Sequence, residues 1–455
     1  MPKQNLIITL FAILCVSTVN CGTSKFRYQY DKNVKTLLKV KSVYPDTSFI
    51  ILTDIHYYET SLGTSGSEFQ KYLDSDRKLL IESSEIFSVA TKEISKKEVD
   101  FVIICGDLTK DGEKINHQAV AMDLKMILDS GKKIFVVPGN HDVSNGNSVQ
   151  YLGDKTLTVP NFSKEEFEKI YKDFGYGAAI ERDPSSLSYV AEPVSGLWLL
   201  ALDSCRWKEN KANHKPLTDG EFSEETLKWI ENVLIESKKG QKAVIAFMHH
   251  GIWEHYPGNK KYYSRYIVAD FEKIAKMLAN YGVSLVFTGH FHAQDITLAR
   301  FQDPESFIFD VETGSLVTYP CPYRIVDISS NQIATVRSRF IISIPSNENA
   351  FSEYAEKYCF DRSIKLVNAE LKKYYVSAKD RNLINSQIAK ALMVHLAGDE
   401  KKPETTVDTK GLGLWGKFIF SGRKGLIDGW YSDYAPSDNQ VIIDLKNGNL
   451  LNGLK

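Results

Sequence analysis

The chain has 455 residues, enough for two or three domains with a sizeable core. Its 43% hydrophobic and 25% charged residues are globular values, which excludes a low-complexity or disordered chain. A formal net charge of −1 gives no general electrostatic argument for nucleic-acid binding.

The first residues read differently from the rest. Lys3 precedes an apolar run from Leu6 to Val16, followed by Ser-Thr-Val-Asn-Cys21. A charged start and an h-region of this length predict a secretory signal peptide over 1–21. The run is short for a membrane span. Cys21 stands where a bacterial lipoprotein is cut and lipidated, although Thr18 and Asn20 depart from the usual lipobox. The expectation is export, with membrane attachment through lipid on Cys21. Plain secretion, a periplasmic address and an uncleaved anchor are the alternatives.

Residues 22–44 read as a spacer followed by a strand leading inward. Ser48 to Leu52 is a buried strand ending at Asp54. Leu73 to Ile94 carries apolar residues at helical spacing. Val102 to Ile104 is a strand that delivers Asp107. Asn116 to Leu128 is a helix closed by Gly131, and Lys133 to Val137 a strand delivering Pro138-Gly-Asn-His-Asp142. This β-α-β-α-β order places polar residues at strand C-termini, where sites gather on α/β sheets.

Residues 143–187 form an insertion with one helix, Ser163 to Phe174, opened by a capping box of Ser163 and Glu166. Leu197 to Leu202 returns as a strand, and a helix follows from Ser223. Ala243 to Met248 is a strand delivering His249. Ala269 to Asn280 is a helix, Ser284 to Thr288 a strand delivering Gly289-His-Phe-His292, and a β-rich stretch runs to Ile344. Beyond Pro345 the texture is helical, at Ser352 to Tyr375 and Arg381 to Ala397. Three units are expected: the signal peptide over 1–21, a catalytic domain over 22–344, and a mostly helical C-terminal domain over 345–455. The last contains no ligand-like cluster, and His395, among Leu392, Val394 and Leu396, reads as structural. Cys105, Cys205, Cys321 and Cys359 show no CxxC spacing and no zinc-knuckle signal.

Five strand-end motifs carry the chemistry: Asp54-Ile-His56, Gly106-Asp107, Gly139-Asn-His-Asp142, Met248-His-His250 and Gly289-His-Phe-His292. Residues two apart at a strand end point to one side. Asp54 with His56, and His290 with His292, therefore each present two ligands at once. Asp, Asn and His suit Fe, Mn or Zn, and no ligand position holds a thiolate. One such histidine alone is more often structural, but six of the ten histidines fall inside these motifs. Trp253, His255, Tyr256, Tyr319, Tyr323 and Arg324 follow the last two motifs and are weighed as cleft residues against a structural role.

In this order the motifs resemble those of the calcineurin-like metallophosphoesterase superfamily, over about residues 45–330. The longer texture is similar to bacterial class III cyclic nucleotide phosphodiesterase-like enzymes. The resemblance implies a four-layer α/β/β/α sandwich, here with the additional mostly helical C-terminal domain. It implies two divalent or trivalent transition-metal ions (Fe, Mn or Zn). Asp54, His56 and His292 are implied for the first ion, Asn140, His249 and His290 for the second, and Asp107 as the bridge. His141 is implied as the group that contacts the scissile phosphate and protonates the leaving group, with Asp142 orienting it. Alignment of the motif implies His249 as ligand and His250 as its neighbour, although Gly251 stands where relatives often carry a proline.

The implied function is hydrolysis of a phosphodiester, a cyclic nucleotide among the candidates, by hydroxide held on the two metals. Two cations about 3.5–4 Å apart clamp attacking and leaving oxygens and bring a bound water's pKa toward about 7. A phosphomonoesterase acting on nucleotides or sugar phosphates is the alternative, and a non-catalytic interaction module the remote one. The sequence Gly-Asp-Leu-Thr-Lys-Asp-Gly around Asp107 does not fit a Ser/Thr protein phosphatase. The expected partner is a small phosphoester, besides the membrane at Cys21. No protein or nucleic-acid partner is inferred.

Overall fold

The computed structural model describes residues 25–451 apart from 303 and 433. The expected signal segment and Cys21 lie outside the described residues. In chain order the strands are β1 (Thr47–Leu52), β2 (Phe101–Ile104), β3 (Lys133–Val136), β4 (Val149–Leu152), β5 (Lys155–Thr158), β6 (Glu181–Arg182), β7 (Tyr189–Val194) and β8 (Leu197–Leu202). They continue with β9 (Ala243–Met248), β10 (Leu285–Thr288), β11 (Asp295–Gln302), β12 (Glu305–Glu312), β13 (Pro322–Ser329), β14 (Ile333–Phe340), β15 (Gln440–Asp444) and β16 (Asn449–Leu450). The helices are α1 (Lys32–Leu37), α2 (Ser67–Asp74), α3 (Ser83–Ser95), α4 (Lys114–Asp129), α5 (Lys164–Ile170) and α6 (Glu224–Lys239). They continue with α7 (Asn259–Tyr263), α8 (Phe271–Asn280), α9 (Phe351–Lys373), α10 (Ala378–Ala397) and α11 (Leu414–Gly429).

Two seven-stranded mixed sheets form the centre. One runs β16-β15-β14-β13-β1-β2-β3, the other β11-β12-β10-β9-β8-β7-β6, and β4 with β5 makes a separate hairpin. β1, β2 and β3 are parallel, as are β8, β9, β10 and β12.

Period-two alternation explains how the sheets stack. On β9, Ile245 and Phe247 enter the core between the sheets, while Val244, Ala246 and Met248 face the helix layer of α6 and α8. Leu199 and Ala201 on β8 enter the same inter-sheet core, and Leu200 and Leu202 go to the helices. Phe49 of β1 stacks on Phe101 at 4.7 Å and meets Phe287 of the other sheet edge-on at 5.5 Å. Each such fully buried ring contributes about 1.5–3 kcal/mol. Helices α3 and α4 cover the outer face of the first sheet through Ile86, Phe87, Ala90, Val120 and Leu124. The layers are thus helix, sheet, sheet, helix, as the expected sandwich requires.

Three expectations differ locally. The strand expected before residue 44 is instead α1. Asp31 caps it, accepting from the amides of Asn33 (2.9 Å) and Val34 (3.3 Å). The continuous helix expected from Leu73 to Ile94 is broken. Asp76 folds its carboxylate back onto the amides of Arg77 (2.6 Å) and Lys78 (3.2 Å), a local bond that competes with the helix. The insertion adds the β4–β5 hairpin, while its capping box at Ser163 and Glu166 is present as read.

Beyond residue 345 the chain is helical over α9, α10 and α11 and then returns to the first sheet. β15 pairs antiparallel with β14, Ile333 opposite Asp444. The boundary placed at 345 is therefore crossed by the sheet, because Val441 and Ile443 belong to the inter-sheet core.

Candidate metal centre

The polar strand ends converge at one edge of the two sheets. Asp54, His56, Asp107, His290 and His292 all have positive φ, between 41° and 76°. Non-glycine residues adopt this region rarely and at a cost of order 1–3 kcal/mol each, so their clustering marks a functional site. The turns are held from behind. Thr53 Oγ1 donates to Asp54 Oδ2 (2.6 Å), the His290 amide donates to the same oxygen (2.9 Å), and the His141 amide donates to Asp107 Oδ1 (2.9 Å). Gly139 is required here, since a Cβ on it would overlap Asp107 Oδ1.

Two groups of ligand-type atoms result, and Asp107 belongs to both: Asp54, His56, Asp107 and His292 in one, Asp107, His249 and His290 in the other. In the first, His292 Nε2 lies 3.1 Å from both Asp54 Oδ1 and His56 Nε2. His56 Nε2 lies 3.5 Å from Asp107 Oδ2. In the second, His249 Nε2 lies 3.4 Å from Asp107 Oδ2 and 3.1 Å from Asn140 Oδ1. All seven residues proposed as ligands are therefore brought together.

The buried Asp54 Oδ1 has no hydrogen-bond partner, although it faces two imidazoles. Buried carboxylate oxygens are rarely left so. An unpartnered carboxylate oxygen among nitrogen donors, with no thiolate nearby, fits a divalent transition cation. The same residues set the charge balance of the ligand set. Burial, then the Lys78 cation, keeps His56 well below its ordinary pKa, and burial with its histidine neighbours does the same to His290. Neutral imidazoles are the ligating form. Burial opposes protonation of His249 too, but the Asp107 carboxylate beside it prevails and raises it to about 9.

His249 donates from Nδ1 to the Cys105 carbonyl (2.9 Å), which turns Nε2 toward Asp107. His250 points away. Its Nδ1 meets Ser204 Oγ (2.8 Å) and its Nε2 the Thr218 carbonyl (2.9 Å). His249 is thus the histidine of the pair that faces the centre.

His141 sits over the shared carboxylate, with Nε2 4.0 Å from Asp107 Oδ2 and a side chain 23% exposed, so it can reach a bound molecule. Its expected orienter is corrected. Asp142 does not hold His141. Its carboxylate is used by the amides of Gly139 (2.8 Å), Leu108 (3.1 Å) and Thr109 (3.0 Å) and by the Thr109 hydroxyl (3.0 Å). It therefore braces the Asp107 loop against the Asn140 loop. The carboxylate on His141 is Asp111, with Oδ1 2.8 Å from Nδ1. Buried Lys110, 2.5 Å from its other oxygen, keeps Asp111 ionised.

Sequence reasoning also missed Thr218, whose carbonyl lies 3.0 Å from His290 Nε2, and Lys78, whose field reaches His56 and His141. Asp111 had a signal, the second carboxylate of Gly-Asp-Leu-Thr-Lys-Asp-Gly; Thr218 and Lys78 had none. Of the residues weighed for the cleft, Tyr323 donates to Glu93, and buried Arg324 bonds main-chain oxygens of Glu312 and Asp438. Trp253 packs edge-on to Phe271 and Phe301, and His255 pairs with Asp295. Tyr256 meets Phe291 and His395 edge-on, and Tyr319 packs against core residues. These contacts are structural.

Residues 47–294, more than half of the chain, match the family model of the calcineurin-like phosphoesterases. The uncharacterized metallophosphoesterase-like protein YydB of Bacillus subtilis (strain 168) is 21% identical over 291 residues, which is 59% of this chain and 53% of that protein. The chain thus spans about half the length of the curated relative it matches. Among solved structures, a dimetal phosphatase from Danio rerio is similar at 16% identity and a TM-score of 0.47, over 65% of this chain and 97% of that one. Purple acid phosphatase PPD1 from yellow lupin is similar at 13% identity and a TM-score of 0.39, over 66% and 53%. All nine residues of the constellation, from Asp54 to His292, fall inside the matched span, and the chain belongs to the calcineurin-like phosphoesterase family.

Proposed function

We propose that the protein hydrolyses a phosphodiester at a centre of two divalent transition-metal ions. Asp54, His56 and His292 would hold one ion, Asn140, His249 and His290 the other, with Asp107 shared. When bound, such a pair supplies Lewis acidity toward phosphoryl oxygens and acidifies a bound water.

The chain's own residues supply the remainder. Asp107 and Asp54 fix the ligand set from turns that are strained and braced. His141, with Nδ1 tied to Asp111, presents Nε2 toward the space above Asp107. Burial works against a proton on His141, but the Asp107 and Asp111 carboxylates raise its affinity for one. A protonated Nε2 in that position can give its proton to an alkoxide leaving group.

The observation that favours a diester is the charge beside the centre. Lys78 is the cation whose field reaches both His56 and His141, and its Nζ is already paired with Asp76 at 2.9 Å. With that ammonium already engaged, it offers little to a second substrate charge, which supports a substrate with a single negative charge. A second reading, a phosphomonoesterase, is favoured by Arg77. Its buried Nε has no hydrogen-bond partner, and its field reaches Tyr266, whose ring lies tilted against that of His290 at 4.5 Å. A dianionic monoester would use that unpartnered Nε–H.

Metal-reconstituted protein assayed on bis-p-nitrophenyl phosphate, p-nitrophenyl phosphate, and 2′,3′- and 3′,5′-cyclic nucleotides decides between them. Higher kcat/KM on diesters is the expected result. Higher kcat/KM on monoesters selects the second reading, and no turnover of either class with Mn, Fe or Zn rejects both.

A further inference from the structure

A second convergence of ligand-type side chains lies behind the centre, where the sheet meets the C-terminal helices. Asp295 is the first residue of β11, His395 is in the last turn of α10, and Glu400 follows that helix. Each offers a ligand atom, and the three atoms lie within 4.8 Å of one another. This departs from the expectation that residues beyond 345 hold no ligand-like cluster and that His395 is merely structural. The side chains are buried: 1% exposed for Asp295 and Glu400 and 2% for His395.

Each of the three has one hydrogen-bonded atom and one without a partner, and Glu400 also faces the Asp438 carboxyl. His395 Nδ1 lies 2.7 Å from Glu400 Oε1, and Asp295 Oδ1 lies 2.8 Å from His255 Nδ1. Asp295 Oδ2, Glu400 Oε2 and His395 Nε2 are buried with no hydrogen-bond partner. Glu312, opposite Asp295 across β11 and β12, leaves Oε1 unpartnered as well. The field of Arg324, the nearby guanidinium, reaches Asp295 and Glu312, but its hydrogen bonds go elsewhere. It donates to Thr313 Oγ1, Ser338 Oγ and the carbonyls of Glu312 and Asp438. The rings of Tyr256 and Phe291 wall the histidine at 4.7 and 5.3 Å. Burying several unsatisfied carboxylate oxygens together is costly unless a proton or a cation meets them, and His255 and Arg324 leave these atoms without a bond.

We infer that Asp295, His395 and Glu400 bind a further divalent transition-metal ion, separate from the pair around Asp107. Two carboxylates and one imidazole, without thiolate, suit Mn²⁺ or Zn²⁺ rather than a soft metal. The ion is a clamp. Asp295 lies three residues after His292, so the ion fastens the strand leaving the His290–His292 turn to the end of α10. The neighbouring bonds follow the same seam, with the Gln294 amide donating to the Leu396 carbonyl (3.2 Å) and the Ile296 amide to Asp438 Oδ1 (2.9 Å).

The test is an anomalous-difference map of the full chain crystallised with Mn²⁺ and, separately, Zn²⁺, measured at each metal's absorption edge. A peak among Asp295, His395 and Glu400 is expected, whether or not the Asp107 site is also filled. Its absence with both metals shows a hydrogen-bonded triad only and overturns the inference. The two sites are read in one map, so failure here is distinct from failure of the dinuclear reading. In solution, wild-type protein should carry one more metal equivalent than Glu400→Gln, and equal content in the two folded proteins also overturns it. Should Glu400→Gln fail to fold, the wild-type map alone decides.

Discussion

His141 Nδ1 lies 2.8 Å from Asp111 Oδ1, across thirty residues of sequence. The pairing joins the loop after β2 to the loop after β3 and orients the imidazole by a buried carboxylate that Lys110 keeps charged. A positioned general acid contributes roughly 10²–10⁴-fold when the leaving group needs a proton. His141→Ala should lose a factor in that range on a diester with an alkoxide leaving group. On a nitrophenyl ester, whose leaving group departs unaided, the loss should be clearly smaller. Asp111→Asn should give a weaker version of the same split. Steady-state kinetics on the two substrates check this, and equal losses on both would assign His141 to phosphate binding instead.

Asp107 is the one carboxylate common to both ligand groups. Asp107→Asn should therefore empty the dinuclear centre, not half of it. The lost charge stabilisation is worth several kcal/mol, hence at least about 10³-fold in rate. Elemental analysis beside kinetics checks this. A variant that keeps both ions at full occupancy would remove Asp107 from its bridging place.

The residues that converge around Asp107 are legible in the sequence because each motif ends a strand and carries its own chemistry in adjacent residues. Asp54 and His56 show their spacing directly, and so do His290 and His292. The partners that lie across loops were not legible. Asp142 stands next to His141 in sequence, which suggests an orienter, yet its side chain turns back to three backbone amides. The β15 pairing was hidden for the same reason: Gln440 to Asp444 is short, and its partner strand lies a hundred residues earlier. His395 looked structural because its chain neighbours are apolar. What makes it unusual, the approach of Asp295 and Glu400, comes from the fold.

Buried His117 predicts a pH dependence of stability. Its Nε2 donates to the Asp142 carbonyl (2.9 Å), its Nδ1 accepts from Tyr171 (2.8 Å), and Phe162 stacks on it at 4.7 Å. Burial lowers its pKa to about 3 from an ordinary 6.5. Between those values the unfolded chain binds a proton that the folded chain refuses. Stability therefore rises with pH through this window and falls as pH drops below about 6.5, by up to about 1.4 kcal/mol per unit. Denaturant midpoints at pH 5 and pH 7 should differ more for wild type than for His117→Gln. An identical pH slope in both proteins would show that His117 does not carry it.

Two glycines separate a steric role from a conformational one. A Cβ on Gly289 would overlap Thr53 Oγ1 and reach Asp54 Oδ2 at 2.5 Å, the oxygen that the His290 amide holds. Gly289→Ala must push Asp54 away from His292, and the metal ion they would share should bind at least about tenfold more weakly, a change of about 1.4 kcal/mol. Gly422 lies within α11, where an added Cβ meets nothing within 4 Å. Gly422→Ala should raise stability by about 0.5–1 kcal/mol, because alanine loses less backbone entropy in a helix. Metal titration and chemical denaturation of both variants check the pair. If Gly289→Ala bound metal as wild type does, the contact between the Gly289 turn and Asp54 would not shape the site.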